Sequence, residues 1–408
     1  MIALRTGAPL RVCLVAPYDL AARGGGVKHH IFGLAGALRA RGDSVTILGP
    51  ASRPLRKAGV VTLGGIVSLE SNGSSNEMPL FASPFETLRF FQSHPFDVIH
   101  VHEPPIPSLA YWVSWFTPGV PKLCTFHAYA DEPPPLLRLG QKLFGALQYP
   151  FFARGLAVSQ AAAAYAGRAW KRPLSIVPNG IDTTLFAPRA RRSEPDCTRL
   201  LFVGRLADER KGWPVMLEAY QRLLARGAKV TLDVVGDRTG VPVPPSLPGL
   251  RLHGSLRRSE LIEQYGACDL FVAPSLRQES FGIVLLEAMA SGAAIVCSDI
   301  RGYREVAQPE GATFVPANDP ESLAAAIATL AVDPPPRAAM QAFNLKYVQA
   351  YHWPVLAERI REHYLATIAA SQRLAGPAQP ELLFEGAFAA STNKRLASTN
   401  PSKSTGMV

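Results

Sequence analysis

The stretch FVAPSLRQESFGIVLLEAMASGAAIVCS, residues 271–298, decides the fold. Its first part, FVAPS, predicts the end of a buried strand, and AAIVCS predicts the next strand, so the segment between them is a helix in a β-α-β unit. Ser280 can cap this helix with its hydroxyl. Gly282 has no side chain to cover the first turn, so a phosphate can approach the backbone N–H groups and the positive end of the helix dipole.

Two carboxylates accompany this helix. Glu279 stands at its mouth, and Glu287 lies among apolar neighbours, namely Ile283, Val284, Leu285, Leu286, Met289 and Ala290. A buried carboxylate without a partner is costly. One carboxylate at the mouth and one along the flank suit a ligand with hydroxyl groups at both ends and phosphates in the middle, as in a nucleotide-sugar. The alternative is an exposed loop Glu and a helix Glu in a salt bridge.

The string from Glu279 to Ala288, ESFGIVLLEA, resembles the E-x7-E motif of retaining, GT-B-fold glycosyltransferases of family 4. The resemblance covers roughly residues 11–370 and is greatest to phosphatidylinositol mannosyltransferases. It implies an α/β fold with GT-B architecture, in which two Rossmann-like doubly wound domains face each other across a cleft. The implied enzyme is a metal-independent hexosyltransferase that needs no cofactor beyond its nucleotide-sugar substrate.

Length and composition agree with two large cores. The chain has 408 residues, of which 48% are apolar and 18% charged, and a single core rarely covers such a length. No run approaches the ~18 apolar residues of a spanning helix. The start, MIALRTGAPLRVCLVAP, predicts a first strand rather than a signal peptide, so we expect a cytoplasmic protein. Five scattered cysteines without a CxxC pair indicate reduced thiols.

The positive charge is concentrated in the first half. The net charge is +10, and residues 1–187 hold 17 Lys and Arg against 10 Asp and Glu, an excess of +7. The basic residues form no stripe interleaved with aromatics, which argues against nucleic acid. An anionic membrane surface or a phosphorylated substrate fits the charge. We therefore expect a peripheral enzyme on the inner face of the membrane with a lipid acceptor.

A glycine-rich turn follows the first strand. RVCLVAP predicts a strand, and AARGGGVKHH leads into a helix that ends near Ala40. Gly24, Gly25 and Gly26 let backbone N–H groups approach a phosphate, although a glycine triplet alone is more often only a turn. GGVKHHIFGLAGALRARG is similar to the loop-helix of family 4 and differs from the G-x-G-x-x-G of NAD-binding proteins.

Histidines end two predicted strands. FDVIHVHEP places His100 and His102 on one sheet face with no third metal ligand at good spacing, so we predict packing and no metal site. KLCTFHAYA ends at His127, at the sheet edge where ligands of doubly wound folds bind. A lone His there is usually structural, but the resemblance implies a position beside the donor sugar. LAYWVSWF, residues 109–116, predicts a core helix, with a membrane-interface role for Trp112 and Trp115 as the alternative.

Two cations follow the first strand of the second unit. Arg205 and Lys211 flank the loop after RLLFVGRL. Beside a helix N-terminus they can hold a diphosphate, and the alternative is surface pairing with Asp208 and Glu209. The GR…KG motif of the family matches both cations and favours the diphosphate.

The predicted elements divide the chain into four segments. We expect an acceptor-side domain at 1–187, a nucleotide-sugar domain at 198–352, a helix crossing back to the first domain at 353–373, and a Ser/Thr/Asn-rich tail without a core at 374–408. Residues 64–80 are polar and turn-rich and predict a mobile loop at the substrate end.

The resemblance also implies site roles. The implied catalytic residues are His127, Arg205, Lys211 and Glu279. The implied donor-binding residues are Gly25, Gly26, Arg205, Lys211, Glu279, Phe281, Gly282, Ile283, Val284 and Glu287, with Glu287 on the ribose. The implied acceptor-binding residues are Tyr18, Lys28 and Asn72. A GDP-sugar, with mannose as the sugar, is favoured over a UDP-sugar.

The acceptor side departs from phosphatidylinositol mannosyltransferases. Lys28 replaces their glutamine, and Glu77 and Glu132 stand where they have cations. We therefore expect phosphatidylinositol to be a poorer acceptor than a neutral or differently charged lipid. The alternatives are a UDP-sugar enzyme with a soluble or polysaccharide-precursor acceptor, a GT-B sugar-nucleotide epimerase, and a non-catalytic nucleotide-sugar-binding protein. The oligomeric state is left open.

Overall fold

The computed structural model describes residues 8–22, 25–71, 74–79, 82–106, 109–130, 135–189, 197–242 and 246–374 of the chain, and for residues 67–81, 136 and 137 it describes no side chain. Two parallel sheets, each flanked by helices, form the molecule. The predicted α/β fold with two doubly wound units is confirmed.

The first sheet has seven parallel strands. Their order is β3-β2-β1-β6-β7-β8-β9. Buried β-branched and leucine residues such as those of RVCLV and VIHVH make these strands suited to a sheet covered on both faces. The strands are β1 (Arg11–Val15), β2 (Ser44–Gly49), β3 (Val60–Thr62), β6 (Val98–His102), β7 (Lys122–Phe126), β8 (Arg154–Ala157) and β9 (Leu174–Ile176).

Five helices belong to the part of the chain that builds this sheet. They are α1 (Gly26–Ala40), α2 (Pro84–Ser93), α3 (Leu109–Phe116), α4 (Pro135–Gln148) and α5 (Gln160–Ala166), and a 3₁₀ helix covers Tyr149–Phe151. In α3 the side chains of Leu109, Ala110 and Val113 are buried, as predicted for a core helix, whereas Trp115 is exposed.

Residues 66–71 and 74–79 form two antiparallel strands where the sequence predicted a loop. The strands are β4 (Ile66–Ser71) and β5 (Ser74–Pro79), with Ser71 paired to Ser74. The two residues between them in the sequence are Asn and Gly, a pair strongly favoured in two-residue hairpin connections. The polar composition hid this turn signal.

The second sheet has six parallel strands. Their order is β12-β11-β10-β13-β14-β15, which is the doubly wound order of dinucleotide-binding folds. The strands are β10 (Thr198–Val203), β11 (Val230–Val235), β12 (Leu250–Gly254), β13 (Leu270–Ala273), β14 (Ala294–Ser298) and β15 (Ala312–Val315). The helices are α6 (Trp213–Ala225), α7 (Arg258–Ala267), α8 (Ile283–Ala290), α9 (Arg301–Arg304), α10 (Pro320–Val332) and α11 (Pro334–Tyr347), with 3₁₀ helices at Glu209–Lys211 and Val348–Tyr351.

The last described helix, α12 (Trp353–Leu374), packs on the first sheet and on α1. The Arg361 guanidinium pairs with the Asp43 carboxylate at 3.2 Å, and both side chains are nearly fully buried. The Tyr364 hydroxyl lies 2.9 Å from His100 Nδ1 in β6. The chain therefore passes through the second sheet's unit and returns to the first.

The two units also touch elsewhere. Ile181, just after the first sheet, bridges to His352, just before α12. The Glu305 carboxylate, after α9, accepts the backbone N–H of Ala161 in α5 at 2.8 Å. One hydrophobic cluster includes buried residues of both sheets. Across the described ranges no helix is both long enough and apolar enough to span a bilayer.

Candidate active site

The candidate site lies where the two sheets change winding direction. In each sheet the chain reverses beside its first strand, between β1 and β6 and between β10 and β13. Ligands of doubly wound sheets bind at the carboxyl ends of strands at this point. The loops after these strands carry Gly25, Arg205 and Glu279, which the sequence analysis assigned to the site. They also carry Glu103, which follows His102.

The N-termini of α1 and α8 lie close together across the cleft. A Cβ built on Gly26, the first residue of α1, would lie 3.7 Å from Ile283 Cδ1 at the start of α8. Both helices begin after a glycine with positive φ, Gly25 at 120° and Gly282 at 84°, and neither N-terminus receives a side-chain cap. The uncapped N–H groups and both helix dipoles create a positive potential between the units.

Gly282, rather than the predicted Ser280, is the N-cap of α8. The backbone needs a left-handed conformation at this position, with φ 84° and ψ 55°. A Cβ there would also lie 2.8 Å from the Tyr303 ring. Only glycine meets both conditions at low cost, so the cap prediction for Ser280 is wrong.

Lys211 and Glu279 meet at the mouth of the cleft. Lys211 Nζ lies 2.5 Å from Glu279 Oε1, and the Ser275 hydroxyl donates to the same oxygen at 3.3 Å. Lys211 ends the 3₁₀ helix after β10, and Glu279 precedes α8. The pair therefore joins the two loops beside the helix N-terminus, and Lys211 is not paired with Asp208 as the surface alternative required.

Arg205 is half-exposed and pairs with Asp208, as the alternative of surface pairing predicted for this residue. Its guanidinium contacts the buried Asp208 carboxylate at 3.2 Å, and Arg210 contacts the same oxygen at 2.6 Å. Burial raises the pKa of Asp208, but the hydrogen bond from Arg210 and the charges of the neighbouring cations outweigh it and leave the pKa below its ordinary value. One carboxylate thus holds two cations, and residues 205–211 keep a net positive charge.

Glu287 is buried in α8 without an ion-pair partner among the described residues. Burial raises the pKa of Glu287 to about 7, and the Tyr265 hydroxyl and the Arg258 charge, which lower it, offset only part of this effect. The Tyr265 hydroxyl is close enough to lower the pKa of the Glu287 carboxyl. This hydroxyl makes no hydrogen bond of normal geometry to any described residue. The structure therefore gives no support to the structural salt bridge and leaves the carboxylate available to a ligand.

Arg258, at the start of α7, is a site residue that the sequence reasoning missed. Its charge acts on Glu287 of the second unit and on His29 of the first, where burial, Arg258 and Lys28 together lower the histidine pKa to about 4. Its guanidinium carbon lies 5.5 Å from the centre of the Phe186 ring. The exposed Arg258 side chain therefore lies near residues of both units, but no sequence motif marks it.

His127 follows β7 and belongs to a buried histidine cluster. His127 Nε2 lies 3.0 Å from His102 Nδ1, and its ring centre lies 4.8 Å from that of His30 in α1. His30 Nδ1 lies 2.8 Å from Asn179 Oδ1. Burial, with the neighbouring His30 and His100, holds the pKa of His127 well below its ordinary value. The imidazoles are therefore neutral at pH 7 and act as hydrogen-bonding groups.

The histidine cluster brings together three residues that could be metal ligands, although the sequence predicted no metal site. Sequence spacing offered no third ligand beside His100 and His102, yet the ligand atoms of His30, His102 and His127 all lie within 4.8 Å of one another. A tetrahedral zinc site with Zn–N bonds of about 2.0 Å places its nitrogens about 3.3 Å apart. The rings would have to move closer to meet this geometry, and His102 and His127 already satisfy each other by a hydrogen bond.

Glu103 holds the backbone at His127 and was also not assigned by sequence reasoning. Its carboxylate accepts the backbone N–H groups of His127 and Ala128, the second at 2.6 Å. Glu103 has a φ of 49°, a left-handed value that is uncommon for a side chain of this kind. Burial raises the pKa of Glu103 to about 7, and the two N–H groups lower it by less. Glu103 therefore fixes where the histidine enters the cleft.

The structure describes Tyr18 and Lys28 but not Asn72 among the predicted acceptor-binding residues. Tyr18 is 37% exposed and lies within electrostatic range of Glu103. Lys28 Nζ donates to the Ala22 carbonyl and so ties the glycine-rich loop to α1. The predicted roles of Asn72 and Glu132 fall on residues outside the described ranges, and the side chain of Glu77 is outside them too.

A glycosyltransferase is the class of enzyme that this fold and site define, and comparisons with known proteins specify the family. Residues 24–185 match the model described as "Glycosyltransferase Family 4", and residues 197–333 match the model described as "Glycosyl transferases group 1". The chain therefore belongs to glycosyltransferase family 4.

Curated relatives extend over most of the chain. A phosphatidyl-myo-inositol mannosyltransferase of Mycolicibacterium smegmatis is 31% identical over 373 residues, which are 87% of this chain and 93% of the relative. The enzyme of that name from Mycobacterium tuberculosis H37Rv is 31% identical, with 89% and 98% covered. A sucrose-phosphate synthase from Thermosynechococcus elongatus has a similar fold, with a TM-score of 0.69, 22% identity, and 88% of this chain and all of that chain covered.

Proposed function

We propose that the protein transfers mannose, with retention of configuration, from GDP-mannose to the head group of a membrane lipid at the inner face of the membrane. The observation that carries the proposal is the pair of uncapped helix N-termini, α1 and α8, which lie close together, with Lys211 bound to Glu279 just before α8. This arrangement suits a diphosphate. The names of the curated relatives support the mannosyl group and the lipid.

In this proposal the donor lies along α8. Its diphosphate lies at the N–H groups after Gly282, its ribose diol donates to the Glu287 carboxylate, and Glu279 accepts from a sugar hydroxyl. The Lys211 ammonium, now 2.5 Å from Glu279, would also contact the diphosphate. Glu279 and Lys211 then contact the same donor molecule, and their ion pair positions its sugar and its diphosphate relative to each other.

The reaction moves one glycosyl group. The acceptor hydroxyl oxygen forms a bond to the anomeric carbon while the bond from that carbon to the diphosphate oxygen breaks. Attack occurs on the face from which the diphosphate departs, so the acceptor proton passes to the departing phosphate. Arg205, Lys211 and the helix N-termini stabilise the developing phosphate charge, which contributes most in a site that excludes water.

We place His127 on the first-domain side of the proposed reaction centre. Because its ring is neutral, held by His102 at 3.0 Å and by Glu103 through its backbone, it can bond to a donor-sugar hydroxyl without adding charge. The proposed role is therefore to orient the sugar. A fixed orientation of the reacting groups accounts for much of enzymatic rate enhancement.

The acceptor is inferred from charge and from the relatives. The first 187 residues carry the +7 excess, which suits an anionic surface. The relatives' names point to an inositol phospholipid, whereas this sequence has Glu77 and Glu132 where phosphatidylinositol mannosyltransferases have cations. We therefore propose a lipid head group that is neutral or differently charged from phosphatidylinositol.

Transfer from radiolabelled donors to a panel of lipids in vesicles tests this function. GDP-mannose should label a lipid, UDP-glucose and UDP-N-acetylglucosamine should not, and NMR of the product should show the anomeric configuration of the donor. Efficient labelling of phosphatidylinositol would refute the acceptor inference. Formation of an epimer from donor alone, or transfer only to a soluble sugar, would refute the proposed function.

A further inference from the structure

Helix α4 presents a row of leucines to solvent. Leu139, Leu143 and Leu147, spaced four residues apart and therefore on one face, are 63%, 57% and 47% exposed. A surface helix normally turns such a row toward the core. Here the usual orientation is reversed.

Contacts on the inner face hold this orientation. Gln141 Nε2 donates to the Tyr165 hydroxyl at 2.6 Å. Gly145 is buried against the Tyr149 ring, which a Cβ at this position would approach to 2.6 Å. The close approach requires a glycine, so α4 cannot rotate to bury its leucines without losing this packing.

Aromatic side chains continue the exposed apolar surface. Tyr111 of α3 and Phe144 of α4 pack edge to face at 5.7 Å between ring centres. One turn further along α3, Trp115 is 53% exposed, with its ring centre 5.5 Å from that of Phe151. Tryptophan is favoured at the boundary between lipid and water, where its ring is apolar and its N–H is polar.

The charge around this surface has one sign. From residue 133 to residue 181 the sequence contains no Asp or Glu. Arg138 and Lys142 are exposed beside the leucines on α4. The cations of this stretch are Arg138, Lys142, Arg154, Arg168, Lys171 and Arg172.

The inner face of α4 borders the acceptor side of the candidate site. Gln141 and Tyr149 line a small cavity together with Glu103 and Ala128. The next residue before Ala128 is His127. A ligand held at the outer face of α4 is therefore only one helix away from the cleft.

We propose that the outer face of α4, together with Trp115 and Phe151, docks on an anionic lipid bilayer. Leucines and aromatics would enter the boundary between head groups and acyl chains, and the cations would remain among the anionic head groups. A row of leucines beside cations without acidic residues is the pattern of helices that lie in this boundary. The inference rests on the proposed lipid acceptor and names the surface that reaches it.

Vesicle sedimentation tests the surface. Vesicles of phosphatidylcholine with phosphatidylglycerol should bind the wild-type protein at low salt, and binding should weaken as salt rises. The double variant L139Q/L143Q should bind at least tenfold more weakly. The matched control is V332Q, which alters a residue of α10 that is 83% exposed and should bind like the wild type. Circular dichroism of each variant checks folding.

A fluorescence measurement gives an independent readout. Vesicles should shift the tryptophan emission of the wild-type protein to shorter wavelength, and W115F should lose most of this shift. Unchanged vesicle binding by L139Q/L143Q, or a wild-type dimer in sedimentation velocity that this variant abolishes, would overturn the surface. Transfer to lipid by a protein that docks elsewhere overturns only this inference, whereas transfer confined to a soluble sugar refutes the proposed function.

Discussion

Replacing Glu287 by Gln should weaken nucleotide binding and at the same time stabilise the nucleotide-free protein. The wild-type carboxylate is buried without an ion-pair partner among the described residues, and its pKa is raised from 4.5 to about 7. This difference corresponds to about 3 kcal/mol, at 1.36 kcal/mol for each unit of pKa. An amide fills the same space without a charge.

The sign of the pH dependence follows from that pKa. Because the folded protein favours the protonated carboxyl, ionisation costs stability, and the cost grows from pH 4.5 and is complete above about pH 7. Glu287→Gln should therefore raise the Tm by about 5 °C at pH 8 and by little at pH 4.5. The proposed ribose contact needs the ionised carboxylate, so wild-type affinity for nucleotide should rise about tenfold from pH 6 to pH 8.

Calorimetric titration with GDP at both pH values, with thermal unfolding of the nucleotide-free protein, measures these effects. The variant should bind more weakly at pH 8 and lose the pH dependence of affinity. Glu263→Gln, at an exposed position of α7, is the control and should change neither quantity. A Glu287→Gln protein that binds GDP normally and unfolds earlier than the wild type would show that the carboxylate has a structural role, and it would refute this reasoning.

Three substitutions and one treatment give further tests. Lys211→Ala should lower kcat by roughly 10²-fold and affect nucleotide affinity less, because the charge contributes most as phosphate departs; equal kcat in steady-state assays would contradict this. Glu103→Gln should flatten the rise in kcat from pH 6 to pH 8, because the wild-type carboxylate, with a pKa of about 7, holds the His127 backbone best when ionised. Arg361→Met leaves the buried Asp43 carboxylate with the Leu10 N–H but without its ion-pair partner, so urea unfolding should show a loss of about 3 kcal/mol or more. Prolonged dialysis against EDTA should leave transfer unchanged, and activity restored only by added zinc would assign a metal to the histidine cluster.

The sequence predicted those parts of the fold that depend on short patterns. Buried apolar runs such as RLLFV and AIVCS predicted parallel strands. The E-x7-E spacing from Glu279 to Glu287, at a single helix, indicated the glycosyltransferase family. Both signals lie within a few residues along the chain. The domain boundaries and the individual site roles remain predictions.

The missed features depend on contacts between distant segments. Gly282 caps α8 because Tyr303 leaves no room for a Cβ, and no local pattern reveals that contact. His30, His102 and His127 come from three different elements, so spacing within one strand could not group them. The outward leucines of α4 follow from glycine and glutamine packing on its inner face, whereas hydrophobic periodicity alone predicts that the leucines face the core.

A crystal structure with GDP bound would test the central claim most directly. We predict that diphosphate oxygens lie about 3 Å from the backbone N–H groups of Ile283 and Val284 and from Lys211 Nζ, with the ribose hydroxyls on Glu287. A nucleotide that binds away from the N-termini of α1 and α8, or a Glu287 carboxylate without contact to the ribose, would contradict the account.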